Sequence, residues 1–128
     1  MGDWKTFADE IKELLNSEKL VAAKKTIATG LKIFPNQFDL LAVANDIYRA
    51  SGDREKSLEY AELLITHYPD NPLGYIRFTE DLVALKRFDR AQKKIRADLE
   101  KFPNQFNLLI VANDIYRASG DREKSLEY

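Results

Sequence analysis

The side chains in this sequence form no recognisable constellation for covalent or proton-transfer chemistry. There is one histidine, His67, and no cysteine. Thiolate nucleophiles, disulfides and cysteine-based metal sites are therefore excluded by composition. No second histidine lies four residues away to form the paired ligands of a helical zinc site. His67 falls in the last turn of a predicted helix, where an imidazole faces the negative end of the helix dipole, and that role is preferred over catalysis. The run 52–57, GDREKS, superficially resembles a phosphate-binding loop. It lacks the second glycine and the Gly-Lys-Ser/Thr ending that would cradle phosphates. Carboxylates are plentiful, but at helical spacings they read as solvated partners of lysine and arginine. These residues point to no enzyme, no metal and no cofactor; the chemistry to expect is non-covalent recognition.

One charged stretch suggests a nucleic-acid surface. Lys86, Arg87, Arg90, Lys93, Lys94, Arg96 and Lys101 crowd together, interrupted by Asp89, Asp98 and Glu100. The formal net charge of the chain is -1, so no whole-molecule field draws in phosphate, and the stretch reads as the solvated outer face of a helix. Nucleic acid is accordingly not an expected partner. A membrane is not expected either, because no apolar run approaches the ~20 residues that span a bilayer. The opening MGDWKTFADEIKELL is acidic and amphipathic, unlike a signal peptide. Met1-Gly2 with Thr6 fits the loose myristoylation pattern, and is read as a chance match. A cytoplasmic location is the expectation.

The elements that would position recognition residues are set out by internal repetition. The segment Lys32–Tyr60 recurs as Glu100–Tyr128, an offset of 68, with differences only at Lys32/Glu100, Ile33/Lys101, Asp39/Asn107 and Ala42/Ile110. Pro35, Pro69 and Pro103 then show that the unit is half that length, 34 residues. That period corresponds to two helices of about 14 residues, each with a short turn. Ser51-Gly52-Asp53 offers a left-handed glycine and then a cap, repeated at Gly120-Asp121, and Asn71-Pro72 offers a cap followed by proline at the first helical position. Each proline of the series follows an aromatic residue, Phe34, Tyr68 or Phe102, and stops a helix. The resulting helices lie near 3–16, 19–33, 37–51, 54–67, 72–85, 88–101, 105–119 and from 122 onward. In the third, Leu40, Val43 and Ile47 form one apolar stripe, with Leu41, Ala44 and Tyr48 beside it. So wide a face belongs to a helix held between neighbours. With 45% hydrophobic and 32% charged residues, the chain has the composition of a folded domain rather than a disordered one. It is expected to form one domain over 1–128, with repeats at about 4–37, 38–71, 72–105 and a partial one at 106–128.

From Trp4 to Tyr128 the chain resembles the tetratricopeptide-repeat family. The family's large residue early in the first helix of each repeat falls at Phe7, Leu41, Tyr75 and Leu109, and its small residue in the second helix at Ala23, Ser57, Ala91 and Ser125. The closing proline is Pro35, Pro69 and Pro103. The departure is the family's glycine in the first helix, replaced by Ile11, Asn45, Thr79 and Asn113. The resemblance implies an all-α fold, a right-handed α-α superhelix of about three and a half helix-turn-helix repeats. Asn45 and Asn113 would then be largely buried with their amides bonded, since an unpaired buried amide costs about 1–3 kcal/mol.

The resemblance also implies a partner and a place for it: a protein or peptide in the concave groove lined by the first helices. Mapped onto this chain, the groove stripe begins with Lys5, Ala8, Lys12 and Asn16. It continues as Asp39, Ala42, Asp46 and Arg49, then Leu73, Ile76, Glu80 and Val83, then Asn107, Ile110, Asp114 and Arg117. Leu73, Ile76 and Val83 are expected to stand free as an apolar patch. The family's clamp for chaperone C-terminal carboxylates maps to Ala8, Lys12, Val43, Leu73 and Arg77, of which only Arg77 keeps its type. A chaperone-tail reader is not expected. The alternative to an interaction scaffold is an architectural array or spacer that self-associates end to end through its C-terminal repeat.

Overall fold

Capping chemistry decides where the helices begin. In the computed structural model, which describes residues 3–17 and 19–118, the Asp3 carboxylate accepts from the Thr6 N–H at 3.0 Å and opens α1 (Trp4–Asn16). After α2 (Leu20–Ile33), the Gln37 side chain accepts from Leu40 N–H at 3.0 Å to open α3 (Phe38–Ala50). Asp53 caps α4 (Arg54–His67) through Lys56 N–H at 3.1 Å. Asn71 caps α5 (Pro72–Ala84) through Leu73 N–H at 3.0 Å, with Pro72 in the first turn. The last two helices among the described residues are α6 (Phe88–Lys101) and α7 (Phe106–Ala118). Every boundary lies within two residues of its sequence expectation. The helix expected from residue 122, with Gly120-Asp121 and Ser125, lies outside the described residues.

The repeats close on aromatic rungs. Phe34, Tyr68 and Phe102 each end a second helix by donating N–H to the carbonyl four residues back, and each meets an aromatic ring from the first helix of the same repeat. The pairs are Phe7–Phe34 at 6.3 Å, Phe38–Tyr68 at 5.0 Å and Tyr75–Phe102 at 5.2 Å, all edge to face. Where the second repeat carries Leu41 instead of a large aromatic, Phe38 supplies the ring one turn earlier. Such pairs contribute about 0.5–1.5 kcal/mol beyond their buried area. Gly52 turns the chain between α3 and α4 with φ 83°, as its glycine suggests. The same turn 34 residues on uses Lys86 at φ 61°, a left-handed lysine that costs about 1–2 kcal/mol.

Apolar burial is divided in two. One cluster gathers Ile11, Ile27, Leu40, Val43 and Ile47 from α1, α2 and α3. The other gathers Leu58, Phe78, Leu82, Ile95, Leu108 and Ile115 from α4 to α7. At the boundary between them lie Asn45, Ser57 and Asp81, all fully buried. Here α3 and α5 meet over less of their length than α1 meets α3 or α5 meets α7. By contrast α5 presses hard on α4. A Cβ added to Gly74 would stand 2.9 Å from Ile65 N and 2.9 Å from Leu64 Cβ, closer than packed atoms approach.

Candidate functional site

The boundary between the two apolar clusters is also where the expected groove residues meet. Asp81 carries the network. Its Oδ1 accepts from Arg54 at 2.9 Å and lies 3.4 Å from Arg49 Nε; its Oδ2 accepts from Ser57 Oγ at 2.6 Å and, more weakly, from the Asn45 amide at 3.4 Å. The Asn45 amide also donates to the Ser57 carbonyl at 2.8 Å, as expected for a buried asparagine in this position. Its own oxygen accepts from Arg77 at 3.0 Å, and Arg77 also pairs with Asp46. Arg49 reaches on to Glu80 at 3.1 Å. Three carboxylates and three guanidinium groups thus tie α3 and α4 to α5. A carboxylate cut off from water is tolerated only with such partners. Asn113, the counterpart of Asn45, is half-buried.

Four of the sequence-predicted groove residues come together around one hollow of about 250 Å³: Arg49, Glu80, Val83 and Asp114, joined by Arg54, Ala84 and Val111. Ile110, 43 % exposed, lines a second hollow on α7 with Phe106, Leu109 and Asn113. Asp39, Ala42 and Leu73 are half-buried, and Asn107 and Arg117 exposed; none of these five lines either hollow. The expected free apolar patch on α5 is corrected. Ile76 is only 8 % exposed and belongs to the second apolar cluster, against which Val83 also packs. Ile76 is thus part of the interior, because neighbouring helices close over it. Ala8 on α1 is buried in the first cluster in the same way.

Arg54 was not read as a groove residue because it opens a second helix. Asp81 was missed although a signal existed: at the same place the two adjacent repeats carry Ile47 and Ile115, and the first repeat carries Glu13. A carboxylate between two repeats that both carry isoleucine there marks a position with special partners; the exposed Glu13 of the first repeat needs none.

The cation-rich stretch of α6 does not form a face free of carboxylates. Arg87 pairs with Glu55, Lys94 with Asp98 at 2.7 Å, and Lys101 lies 3.8 Å from Asp70, while Arg90 sits over the Phe78 ring. His67 is exposed in the last turn of α4. Among the described residues no cluster of three or more potential ligands could hold a metal ion, and no helix is long and apolar enough to cross a membrane.

Asp98 is the other nearly inaccessible carboxylate, 2 % exposed. Burial pushes its carboxyl above the usual range, and the opposing pull of Lys94 and of the Thr79 hydroxyl on the facing helix does not cancel it. A carboxyl with a raised folded-state pKa binds its proton more tightly in the native state. Its favourable contribution is therefore complete below the unfolded pKa and is lost as pH rises through the folded one. Urea titrations at a series of pH values should show the parent chain gaining stability relative to Asp98→Asn as the solution is acidified from neutral. A constant difference across that range would contradict the assignment.

Solved structures share this arrangement of helices. TTC0263, a thermophilic TPR protein of Thermus thermophilus, superposes with a TM-score of 0.79 at 19% identity over 96% of this chain and 69% of its own. The Sgt2 TPR domain of Aspergillus fumigatus gives 0.81 at 17% identity, covering 97% of this chain and 83% of that domain. The first TPR of Spaghetti (RPAP3), solved with HSP90 peptide SRMEEVD, gives 0.78 at 17% identity, covering 91% and 93%. No family model matches the sequence, and no curated protein matches it. The fold is that of a tetratricopeptide-repeat solenoid, all-α and built from helix pairs.

Proposed function

We propose that the chain is a protein-interaction scaffold that binds an extended segment of another protein along the face lined by α1, α3, α5 and α7. The observation that carries this reading is the hollow shared by α3, α4, α5 and α7, where aliphatic and charged side chains converge. A surface with a small apolar floor and a few placed polar groups is the usual form of a recognition site. The Spaghetti domain, which has the same fold, was solved with a bound peptide, which supports the same kind of ligand here. The chaperone peptide itself is a poor candidate: Arg77, the one residue matching the carboxylate clamp, is already engaged by Asn45 and Asp46.

The test is selection of peptides from a displayed random library on the full chain, followed by affinity measurement on groove variants. Ile110→Asp and Ala84→Glu alter exposed positions and should leave helicity unchanged. Each should weaken the selected peptides by about tenfold, roughly the loss of one buried apolar contact or the addition of an unpaired charge. Selected peptides that bind both variants as tightly as the parent would place the site elsewhere.

A further inference from the structure

Three carboxylates recur at the same place in successive repeats along this face: Asp46, Glu80 and Asp114. Two of them are neutralised within the chain. Asp46 has Arg77, and Glu80 has Arg49 from the preceding repeat. For Asp114 the residue in the place of Arg49 is Val83, 34 positions later. Asp114 is exposed and makes no ion pair or side-chain hydrogen bond among the described residues. It nonetheless faces the same hollow as Glu80, over a floor of Val83, Ala84 and Val111.

Two arginines also line the hollow, so the sign of its charge has to be decided. Arg54 is committed to the inaccessible carboxylate of Asp81, and Arg49 is shared between Asp81 and Glu80. Against these two cations stand three carboxylates: Asp81, Glu80 and Asp114. The surplus is one negative charge, and it sits on the solvent side, where the Glu80 side chain is 38% exposed and Asp114 is open. Arg117, the next cation along α7, is not among the lining residues.

We propose that this hollow receives a basic side chain, lysine or arginine, from the bound segment. The aliphatic stem lies on Val83, Ala84 and Val111, and the charged head takes the place between Glu80 and Asp114 that an arginine of the preceding repeat fills one step earlier. Long basic side chains bury their methylenes while keeping the head hydrated, which suits a floor that is apolar and a rim that is acidic. A charge-assisted hydrogen bond to a carboxylate is the stronger kind. This rests on the groove reading above and adds to it the chemical class of the partner.

The test uses three acetylated and amidated pentapeptides, Ala-Leu-Xaa-Leu-Ala, in which Xaa is lysine, norleucine or glutamate. Binding to the full chain is followed by the backbone amide resonances of Val83, Ala84, Val111 and Asp114. The lysine peptide should move these resonances. The norleucine peptide, which keeps the stem and loses the charge, should bind about tenfold more weakly. Asp114→Asn, at a side chain with no partner among the described residues, should weaken the lysine peptide by a similar factor. Val83→Arg, which copies the placement of Arg49, should abolish its binding. A glutamate peptide that binds the same amides as well as the lysine peptide would overturn the proposal, as would unchanged affinity in Asp114→Asn. If the lysine peptide moves nothing at millimolar concentration while library-selected peptides still bind the face, the assignment of charge alone has failed. If neither binds, the groove reading has failed with it.

Discussion

Replacing Asp81 by alanine is expected to lower the stability of this chain by about 3–5 kcal/mol, the range for removing one partner of a buried ion pair. The loss has two sources. Arg49 and Arg54 keep their charge with side chains only 20% and 34% exposed, so water compensates them incompletely. Ser57 Oγ and the Asn45 amide lose an acceptor in a place that water does not reach. Partial exposure of the arginines puts the expected figure toward the lower end. Urea denaturation of the parent, Asp81→Ala and Asp81→Asn provides the measurement, with the asparagine variant intermediate because it retains an acceptor. For a domain whose total stability is about 5–15 kcal/mol, the alanine variant should be visibly crippled. A loss below about 1 kcal/mol would mean that the network contributes little net stability and that α3, α4 and α5 are held together by their apolar contacts.

Gly74→Leu is the second large effect, and repeat comparison alone would get its sign wrong. Leucine is the residue of the two adjacent repeats at this place, Leu40 and Leu108, with Thr6 in the first repeat; both leucines are fully buried. Substitution toward a repeat consensus commonly stabilises. Here the first carbon of the new side chain would already meet the backbone nitrogen of Ile65 at 2.9 Å, and backbone cannot step aside as the end of a flexible side chain can. The α4–α5 pair must part. Overpacking of this kind costs about 1–3 kcal/mol, and leucine should reach the upper end, with Gly74→Ala near the lower. Thermal unfolding followed by circular dichroism suffices, and a leucine variant as stable as the parent would show that α5 can shift freely on α4.

The helix boundaries were legible because local chemistry sets them. Gly52 must be left-handed for Asp53 to cap α4, and Asn71-Pro72 can only begin a helix; the structure has both features. Asn45 was legible for a different reason, since a polar side chain where helices cross must find a donor or acceptor close by, and Ser57 is that neighbour. What escaped were features that depend on distances between helices. Lys86 adopts a glycine's conformation because the turn geometry is imposed by the helices on either side, whatever residue stands there. Ile76 looked free because its place in the repeat suggested the groove, but the core clustered around it determines its exposure, and that clustering depends on how α5 leans toward α4. The groove charges could be named in advance, whereas their pairing could not: Asp46 with Arg77 and Arg49 with Glu80 join residues 31 apart in sequence.

Junctions between successive first helices in this molecule are of two kinds, and the difference limits how the chain can go wrong. Arrays of near-identical repeats are prone to misassembly, because a helix can dock one repeat too early or too late at little cost in apolar area. In this chain a slip of 34 residues would bring Ile47 or Ile115 to the place of Asp81, opposite Asn45, Ser57 and two arginines. It would at the same time carry Asp81 into a junction where the places of Arg49 and Arg54 are held by Leu15 and Leu20, or by Val83 and Phe88. Either half of that exchange strands buried polar groups, at about 1–3 kcal/mol for each neutral one and more for a charge. A slip of 68 residues, the offset between the two near-identical segments, would meet no such objection. The polar junction therefore acts as a parity mark: it lets odd and even repeats be told apart during folding although their backbones are alike.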